Sequence, residues 1–183
     1  MKIQAIRKAC MARGVFYVFD CADGRQFLSN GVAAWPVDGI TVTEGMIPAL
    51  FDLNEKQQQK LSIHEMEMTD ERFTLEPVGG ETPLEDLGLV WSAGNLYRAL
   101  KNDSGLLLID TAQTKPGENK DGNFVYAERQ GKPGKAPLIA CYGDMLASAL
   151  VMPVKAGDIR KMLERIAYEP LNVFWSEDEE EES

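Results

Sequence analysis

The chain has 183 residues, of which 44% are hydrophobic and 26% are charged, so it is long enough to form a sizeable core without disulfides or structural metals. The formal net charge is -10, and the acidic run from Glu177 to Glu182 contributes six of those negative charges. The rest of the chain is therefore only mildly acidic, and its charge does not select a class of partner.

The cysteines and the amino-terminal segment bear on where the protein resides. Cys10, Cys21 and Cys141 are odd in number and lie far apart, which indicates buried, reduced thiols rather than a secreted disulfide framework. Basic and polar residues interrupt the apolar positions of the first fourteen residues, and no later apolar run approaches the length of a membrane span. We therefore expect a soluble cytoplasmic protein without a targeting segment.

Strand signals separated by short turns dominate the first third of the chain. The β-branched and aromatic run from Val15 to Asp20 predicts a strand that forms a hairpin with the segment around Phe27-Leu28. Val32 to Trp35 predicts a further strand. The turn signals are the dipeptides Asp23-Gly24, Asn30-Gly31 and Asp38-Gly39.

A helical pattern replaces the strand pattern between Ile47 and Gln59. Pro48 suits the first turn of a helix, and the residues after it predict one amphipathic helix. The next apolar positions, in Leu61 to Met68, change parity halfway, which predicts a strand with a bulge or a face switch. Phe73 to Leu75 is expected to pair with this strand as a second hairpin.

The segment from Pro77 to Pro83, with Gly79-Gly80 at its centre, is the best candidate linker in the chain. It divides the sequence into a first half, residues 1–78, and a second half, residues 84–169. Residues 170–183 form an acidic tail.

Paired strands are also expected in the second half. The strand candidates are Leu87 to Trp91, Leu96 to Leu100 and Leu106 to Asp110. Solvated loops are expected at Thr114 to Gly122 and at Gln130 to Gly134. Lys135 to Val154 predicts a closing hairpin of a buried sheet, and Asp158 to Tyr168 predicts a helix. The fold class predicted is α+β, with mostly antiparallel sheets and two or three helices.

Few residues suggest chemistry. His64 is the sole histidine, and its strand-like surroundings favour a structural or surface role over catalysis. The spacing of cysteine and histidine predicts no metal site, and Gly131 to Lys135 lacks the spacing of a phosphate-binding loop. We therefore expect no catalytic residues, no cofactor and no metal. A small enzyme using Asp or Glu chemistry remains an alternative, which requires a deep pocket holding two carboxylates with perturbed pKa values.

The acidic tail follows a short apolar segment and has three interpretations. The apolar residues in question are Leu171, Val173, Phe174 and Trp175. They could pack on the body while the acids promote solubility, or serve as a linear motif that anchors in a partner's groove, so that the protein is an interaction module or inhibitor. The tail could also fold over a basic face and compete with nucleic acid.

Several segments carry a resemblance to a known family. Ile47 to Pro77 resembles the second half of a bacterial DNA polymerase sliding-clamp domain, in which a Pro-Ala start leads into a short helix and then a hairpin. The ending SALVMPV, Ser148 to Val154, is similar to the last strand of such clamps, and Pro137 to Asp144 is similar to the strand before it. Ser29 to Val37 resembles the Thr-Asp-Gly stretch of that family, with Asn30 in place of Asp.

The resemblance implies a clamp-like fold of repeated βαβββ units, with helices facing a channel for double-stranded DNA and a hydrophobic pocket for partner peptides. The channel-facing candidates it implies are Lys2, Arg7, Lys8 and Arg13, which could neutralise phosphates without reading bases. A solvated helix face is the alternative role for these residues. We expect a non-catalytic binding or scaffolding protein of DNA replication or repair, encoded by a phage or mobile element. Replication proteins are its expected partners, and ring closure would require a homo-oligomer.

Overall fold

The computed structural model describes residues 3–92, 94–118, 124–143 and 145–154. The chain divides into two units, Met1–Pro153 and Val154–Ser183, and every element described below belongs to the first. Both predicted halves contribute strands to this unit. The helix predicted at Asp158 to Tyr168 lies outside the described residues.

The fold is α+β, with few and short helices and ten strands. The helices are α1 (Ile3–Arg13), α2 (Ile47–Leu50), α3 (Glu55–Gln58) and α4 (Thr111–Thr114), and a 3₁₀ turn (Glu44–Met46) precedes α2. The strands are β1 (Val15–Cys21), β2 (Gln26–Ser29), β3 (Ala33–Val37), β4 (Ser62–Met68), β5 (Thr82–Ser92), β6 (Asn95–Asn102), β7 (Gly105–Asp110), β8 (Val125–Arg129), β9 (Leu138–Tyr142) and β10 (Ala147–Val151).

All ten described strands form one sheet in the order β4-β1-β2-β3-β10-β9-β8-β5-β6-β7. The described pairs are antiparallel except β1 with β4, which run parallel. The strands of the two predicted halves meet where β3 pairs with β10, with Ala34 opposite Leu150. The longest strand, β5, has a register shift between Asp86 and Gly88, which separates its pairing with β8 from most of its pairing with β6.

Local sequence signals account for most of this sheet. The hairpin of β1 with β2 and the turn at Asn30-Gly31 into β3 confirm the predictions for Val15 to Trp35. No strand directly follows the third turn signal, Asp38-Gly39, in this fully described stretch of the chain. The pairing of β6 with both β5 and β7 confirms the expected strands of the second half. The predicted closing hairpin is the antiparallel pair of β9 and β10, in which Leu150 lies opposite Ala140.

The prediction for β4 is wrong in two respects. β4 pairs with β1 in one unbroken register from Val15 opposite Ser62 to Cys21 opposite Met68, so it contains no bulge. It also forms no hairpin with the segment around Phe73. Because β4 is an edge strand with mostly exposed side chains, the core does not determine the parity of its methionines.

The single helix predicted from Ile47 to Gln59 is wrong, because two short helices occupy this range. Asp52 ends the first with a left-handed backbone, φ 48°, which a regular helix cannot contain. Asn54 then caps α3, since its side chain accepts a hydrogen bond from the Gln57 backbone N–H while the Gln57 side chain accepts one from the Asn54 backbone.

The loop predicted at Thr114 to Gly122 is only partly solvated. Thr114 is 4% exposed, and a Cβ atom added to Gly117 would lie 2.5 Å from the backbone oxygen of Ser148. The start of this segment is therefore packed against β10 and is not a free loop.

The sheet is apolar on both faces. The larger cluster contains Ile6 of α1 with Phe16, Trp35 and Ile109, and it lies on the face that the helices cover. The smaller cluster contains Phe27, Ala34, Ala140 and Leu150, with Phe19, Phe73 and Leu75 packed against it. Since neighbouring residues of a strand point to opposite faces, Ala34 and Trp35 belong to different clusters.

A thirteen-residue connection, which we call the strap, covers the second face. The strap comprises residues 69–81, contains no helix or strand, and connects the edge strand β4 with β5 in the other half of the sheet. Phe73 of the strap packs edge-on against Phe19 and Phe27, with ring centroids 5.5 and 5.8 Å away. The strap therefore covers the part of the smaller cluster around Phe27.

Candidate functional site

Helix α1 lies on the larger core with its apolar side inward. Ile6 and Cys10 are fully buried, whereas Lys8 and Arg13 are exposed. The helix contains three basic residues and no acid. Lys8 and Arg13 are thus free to meet a ligand in solvent, and Lys2, which was predicted with them, lies outside the described residues.

Arg7 has a different environment. It is half-buried, and its Nη2 donates hydrogen bonds to the backbone oxygen of Asp52 at 3.4 Å and to Gln57 Oε1 at 3.3 Å. Its Nε is buried without a hydrogen-bond partner. Arg7 therefore connects α1 to the loop before α3 and to α3 itself.

These contacts bring further lysines beside α1. The backbone N–H of Ser62 donates to Gly14 O at 3.0 Å, and a Cβ atom on Gly14 would lie 3.5 Å from Lys60 O. Lys56 precedes the Gln57 that binds Arg7. We call the exposed residues Lys8, Arg13, Lys56 and Lys60 the basic face. Two exposed acids, Asp52 and Glu55, accompany it, so four positive charges stand against two negative ones.

A second candidate surface is an apolar groove of about 190 Å³ on the strap side of the sheet. Its apolar walls are formed by Phe19, Val32, Ala33, Ala34, Phe73, Leu138, Leu150 and Met152. Met152 is 39% exposed, and its backbone N–H donates to Val32 O at 2.8 Å. Because Phe73 belongs to the strap, the strap forms part of the wall of the groove.

The three thiols have the environments expected of reduced, structural cysteines. Cys10, Cys21 and Cys141 are all free of disulfides, and burial raises the pKa of Cys10 and Cys141 far above the ordinary range. Burial, with repulsion from Asp23 and Asp20, raises the pKa of Cys21 to about 11. The thiolate that nucleophilic chemistry requires is therefore scarce at neutral pH.

The acids and the histidine near β4 form an open surface. His64 is exposed, and its ring stacks on Tyr17 with centroids 5.3 Å apart. Asp20, Glu44 and Glu65 line a shallow depression, in which Glu65 Oε2 accepts a hydrogen bond from the Glu44 backbone N–H. Within the described ranges, no three Cys, His, Asp or Glu side chains converge as metal ligands.

Sequence reasoning did not identify the groove. The sequence of β9 did contain a signal for a covered second face, because a continuous apolar run indicates a strand that is buried on both faces. In the structure all five residues of β9 are buried. The covering segment itself carries only Phe73 and Leu75 as large apolar residues. The tail residues Leu171, Val173, Phe174 and Trp175, predicted to bind a partner, lie outside the described residues.

No helix in the part of the chain that the structure describes is long and apolar enough to cross a membrane. No family model, curated protein or solved structure matches the chain.

Proposed function

We propose that this protein is a non-catalytic, clamp-like binding protein of DNA replication or repair, acting in the cytoplasm. The observation that carries the proposal is the exposure of Lys8 and Arg13 on a helix without acids, in a chain whose net charge is -10. Basic side chains concentrated on one surface of an acidic protein favour a polyanionic ligand.

Double-stranded DNA fits this surface as a backbone ligand. Lysine and arginine bind phosphates by charge and leave the base sequence unread, so the binding is general and sensitive to salt. Lys56 and Lys60 extend the basic face beyond α1. Encircling DNA would require several copies of this chain, and sedimentation velocity measures that self-association.

The apolar groove supports the second half of the proposal, which is partner binding. The resemblance to sliding clamps implies a hydrophobic pocket for partner peptides. Leu150 and Met152 line the groove, and they belong to the SALVMPV segment that carries the resemblance. In this proposal α1 meets DNA on one face of the sheet, and the groove on the other face meets a replication protein.

Charge reversal tests the DNA half. We expect Lys8→Glu with Arg13→Glu to abolish binding of a labelled duplex at about 50 mM salt. In milder Lys8→Gln with Arg13→Gln, the slope of log K against log salt should fall by about 1.8, since two phosphate contacts are lost. Fluorescence anisotropy over a salt series measures both quantities.

Lys101→Glu with Lys132→Glu is the matched control. Both lysines are exposed, they lie on β6 and on the loop between β8 and β9, and the pair changes the net charge by the same amount. Equal weakening by both pairs would mean that net charge alone governs binding. Salt-insensitive binding that survives the Lys8 and Arg13 reversals would overturn the proposal.

A further inference from the structure

The strap is held by one buried side chain. Arg129 of β8 is fully buried, and all five of its N–H donors are used. Its Nε donates to Glu81 Oε1 at 2.7 Å. Its Nη atoms donate to the backbone oxygens of Arg72 at 2.6 Å, Thr74 at 2.8 Å and Glu76 at 2.9 Å, and to Tyr142 Oη at 2.7 Å.

The arrangement wraps the strap around the guanidinium. The three backbone oxygens come from alternate residues of the strap, so they converge on Arg129 from an arched chain. Tyr142 Oη also donates to Glu81 Oε1 at 2.6 Å, which joins the end of the strap to β9. We call Arg129, Glu81 and Tyr142 the latch.

Outside the latch, mainly side chains near the surface hold the strap. Arg25, between β1 and β2, pairs with Glu76 and donates to Thr74 Oγ1 at 3.4 Å, and the Cys21 thiol donates to Phe73 O at 3.6 Å. Partly exposed ion pairs of this kind contribute little free energy compared with the buried latch.

Within the described residues, the strap's one backbone hydrogen bond to a strand runs from the Ala147 N–H to Leu75 O, at 2.8 Å. Phe73 and Leu75 are only half-buried. Arg72 donates to Ala136 O at 2.7 Å and pairs with Asp70, which anchors the first end of the strap.

We propose that the strap opens as a unit when the latch releases, and that its opening extends the apolar groove over Phe27. One guanidinium satisfies three strap carbonyls, so these bonds break together. Phe73 forms a wall of the groove and covers the fully buried Phe27. When Phe73 moves away with the strap, the exposed ring of Phe27 becomes continuous with the apolar groove. The role of this opening in partner binding rests on the proposed function, whereas the opening itself does not.

Opening is less costly than the number of bonds suggests. Closing the strap removes the charge of Arg129 from water, and that desolvation offsets much of the hydrogen bonding gained. When the strap lifts as a whole, water can reach both the guanidinium and the three carbonyls. Segments with few buried apolar contacts and few backbone bonds open at lower free energy than the sheet that carries them.

Hydrogen exchange at the Ala147 amide tests the opening. This amide lies in β10 but donates to the strap, so it should exchange by a sub-global opening with little dependence on denaturant. Amides of Ile139 to Cys141 in β9 should exchange only by global unfolding. NMR exchange rates over a urea series measure both.

Tyr142→Phe weakens the latch while keeping the ring. It should accelerate exchange at Ala147 by about 5–30-fold relative to β9, because it removes two hydrogen bonds of the latch. It should also raise the fluorescence of the apolar dye anilinonaphthalene sulfonate in the folded protein. Tyr126→Phe is the control, because Tyr126 is a buried tyrosine of the larger cluster. It should change neither the exchange rate of Ala147 relative to β9 nor the fluorescence of the dye.

Two results would overturn the inference. If Ala147 exchanges with the same denaturant dependence as the β9 amides in every variant, the strap does not open separately. If Tyr142→Phe accelerates Ala147 without raising dye binding, the strap opens but does not gate the groove. Both readouts are made without DNA, so loss of the DNA proposal leaves them unaffected.

Discussion

At the scale of the residue, buried polar side chains connect parts of the protein that the sheet does not. Asn30 is fully buried, and its Nδ2 donates to Ala9 O at 3.4 Å and to Gln113 Oε1 at 2.8 Å, which joins α1 to α4. Its Oδ1 accepts from the backbone N–H groups of Val32 and Ala33. Both the NH₂ group and the oxygen of the Asn30 amide therefore make hydrogen bonds that the fold uses.

Replacing this amide by a carboxylate keeps its shape and removes its donors. We expect Asn30→Asp to lower the free energy of unfolding at pH 7 by at least about 2 kcal/mol, because the new acid would lie buried against two oxygen atoms. Urea unfolding measures this loss. The exposed Asn95 is the control, and Asn95→Asp should stay within about 0.5 kcal/mol of the parent. Equal losses at both positions would contradict the role of Asn30.

At the scale of the element, α2 shows how one residue ends a helix. Asp52 adopts φ 48° at the position after the C-cap, Phe51, and its backbone oxygen receives a hydrogen bond from Arg7. A left-handed backbone at this position favours glycine over aspartate. The strain is local, since the Asp52 side chain is exposed.

Relief of this strain should stabilise the protein. We expect Asp52→Gly to raise the free energy of unfolding by about 1 kcal/mol, because only the backbone of residue 52 is used in the contact with Arg7. Thermal and urea unfolding measure the gain. Gly39→Ala is the converse control, since Gly39 has φ 79° with open space around it, and it should lose stability. A loss in Asp52→Gly would show that the side chain has a role.

Sequence signals predict the local elements and miss what depends on distant partners. The hairpins of β1 with β2 and of β9 with β10 follow from apolar runs with a turn between them, so a short window contains the signal. The parallel pairing of β4 has no local signal. The path of the strap depends on Arg129, far along the chain, and a lone arginine in sequence gives no sign that it is buried.

The candidate site divides in the same way. Lys8 and Arg13 are exposed on α1, a helix for which the sequence predicted no bounds, although a solvated helix face was the alternative role for these residues. The contacts of Arg7 with Asp52 and Gln57 could not be predicted, because they depend on a turn between α2 and α3 that the sequence pattern did not reveal. Predicting the groove would have required the order of the strands in the sheet as well as their positions in the sequence.

At the scale of the whole molecule, acid should remove the stabilisation that two carboxylates of the strap provide. Burial raises the pKa of Glu81, but hydrogen bonds from Tyr142, from the Val78 N–H and from Arg129 outweigh it, so the pKa lies below its ordinary value of 4.5. A hydrogen bond from Arg72 likewise holds the pKa of Asp70 below its ordinary value of 3.8. Both carboxylates stabilise the fold above these ordinary values.

This stabilisation should be lost as pH falls below about 4.5, since the folded protein must then bind protons at unfavourable sites. We expect urea unfolding between pH 7 and pH 3 to show this fall. Glu81→Gln, which carries no titrating group at this position, should show a smaller fall over the same range. An equal fall in both proteins would mean that Glu81 does not contribute.

The pairing of β3 with β10 has a consequence for how the chain folds. These neighbours at the middle of the sheet come from opposite ends of the described sequence, with Ala34 opposite Leu150. On the ribosome, the early meander of β1, β2 and β3 must wait with one side of β3 unpaired until β10 has emerged. Non-local pairing of this kind slows folding, and an unpaired strand is open to association with other chains. Synthesis rate and chaperone supply therefore bear on how much of this protein reaches its native state.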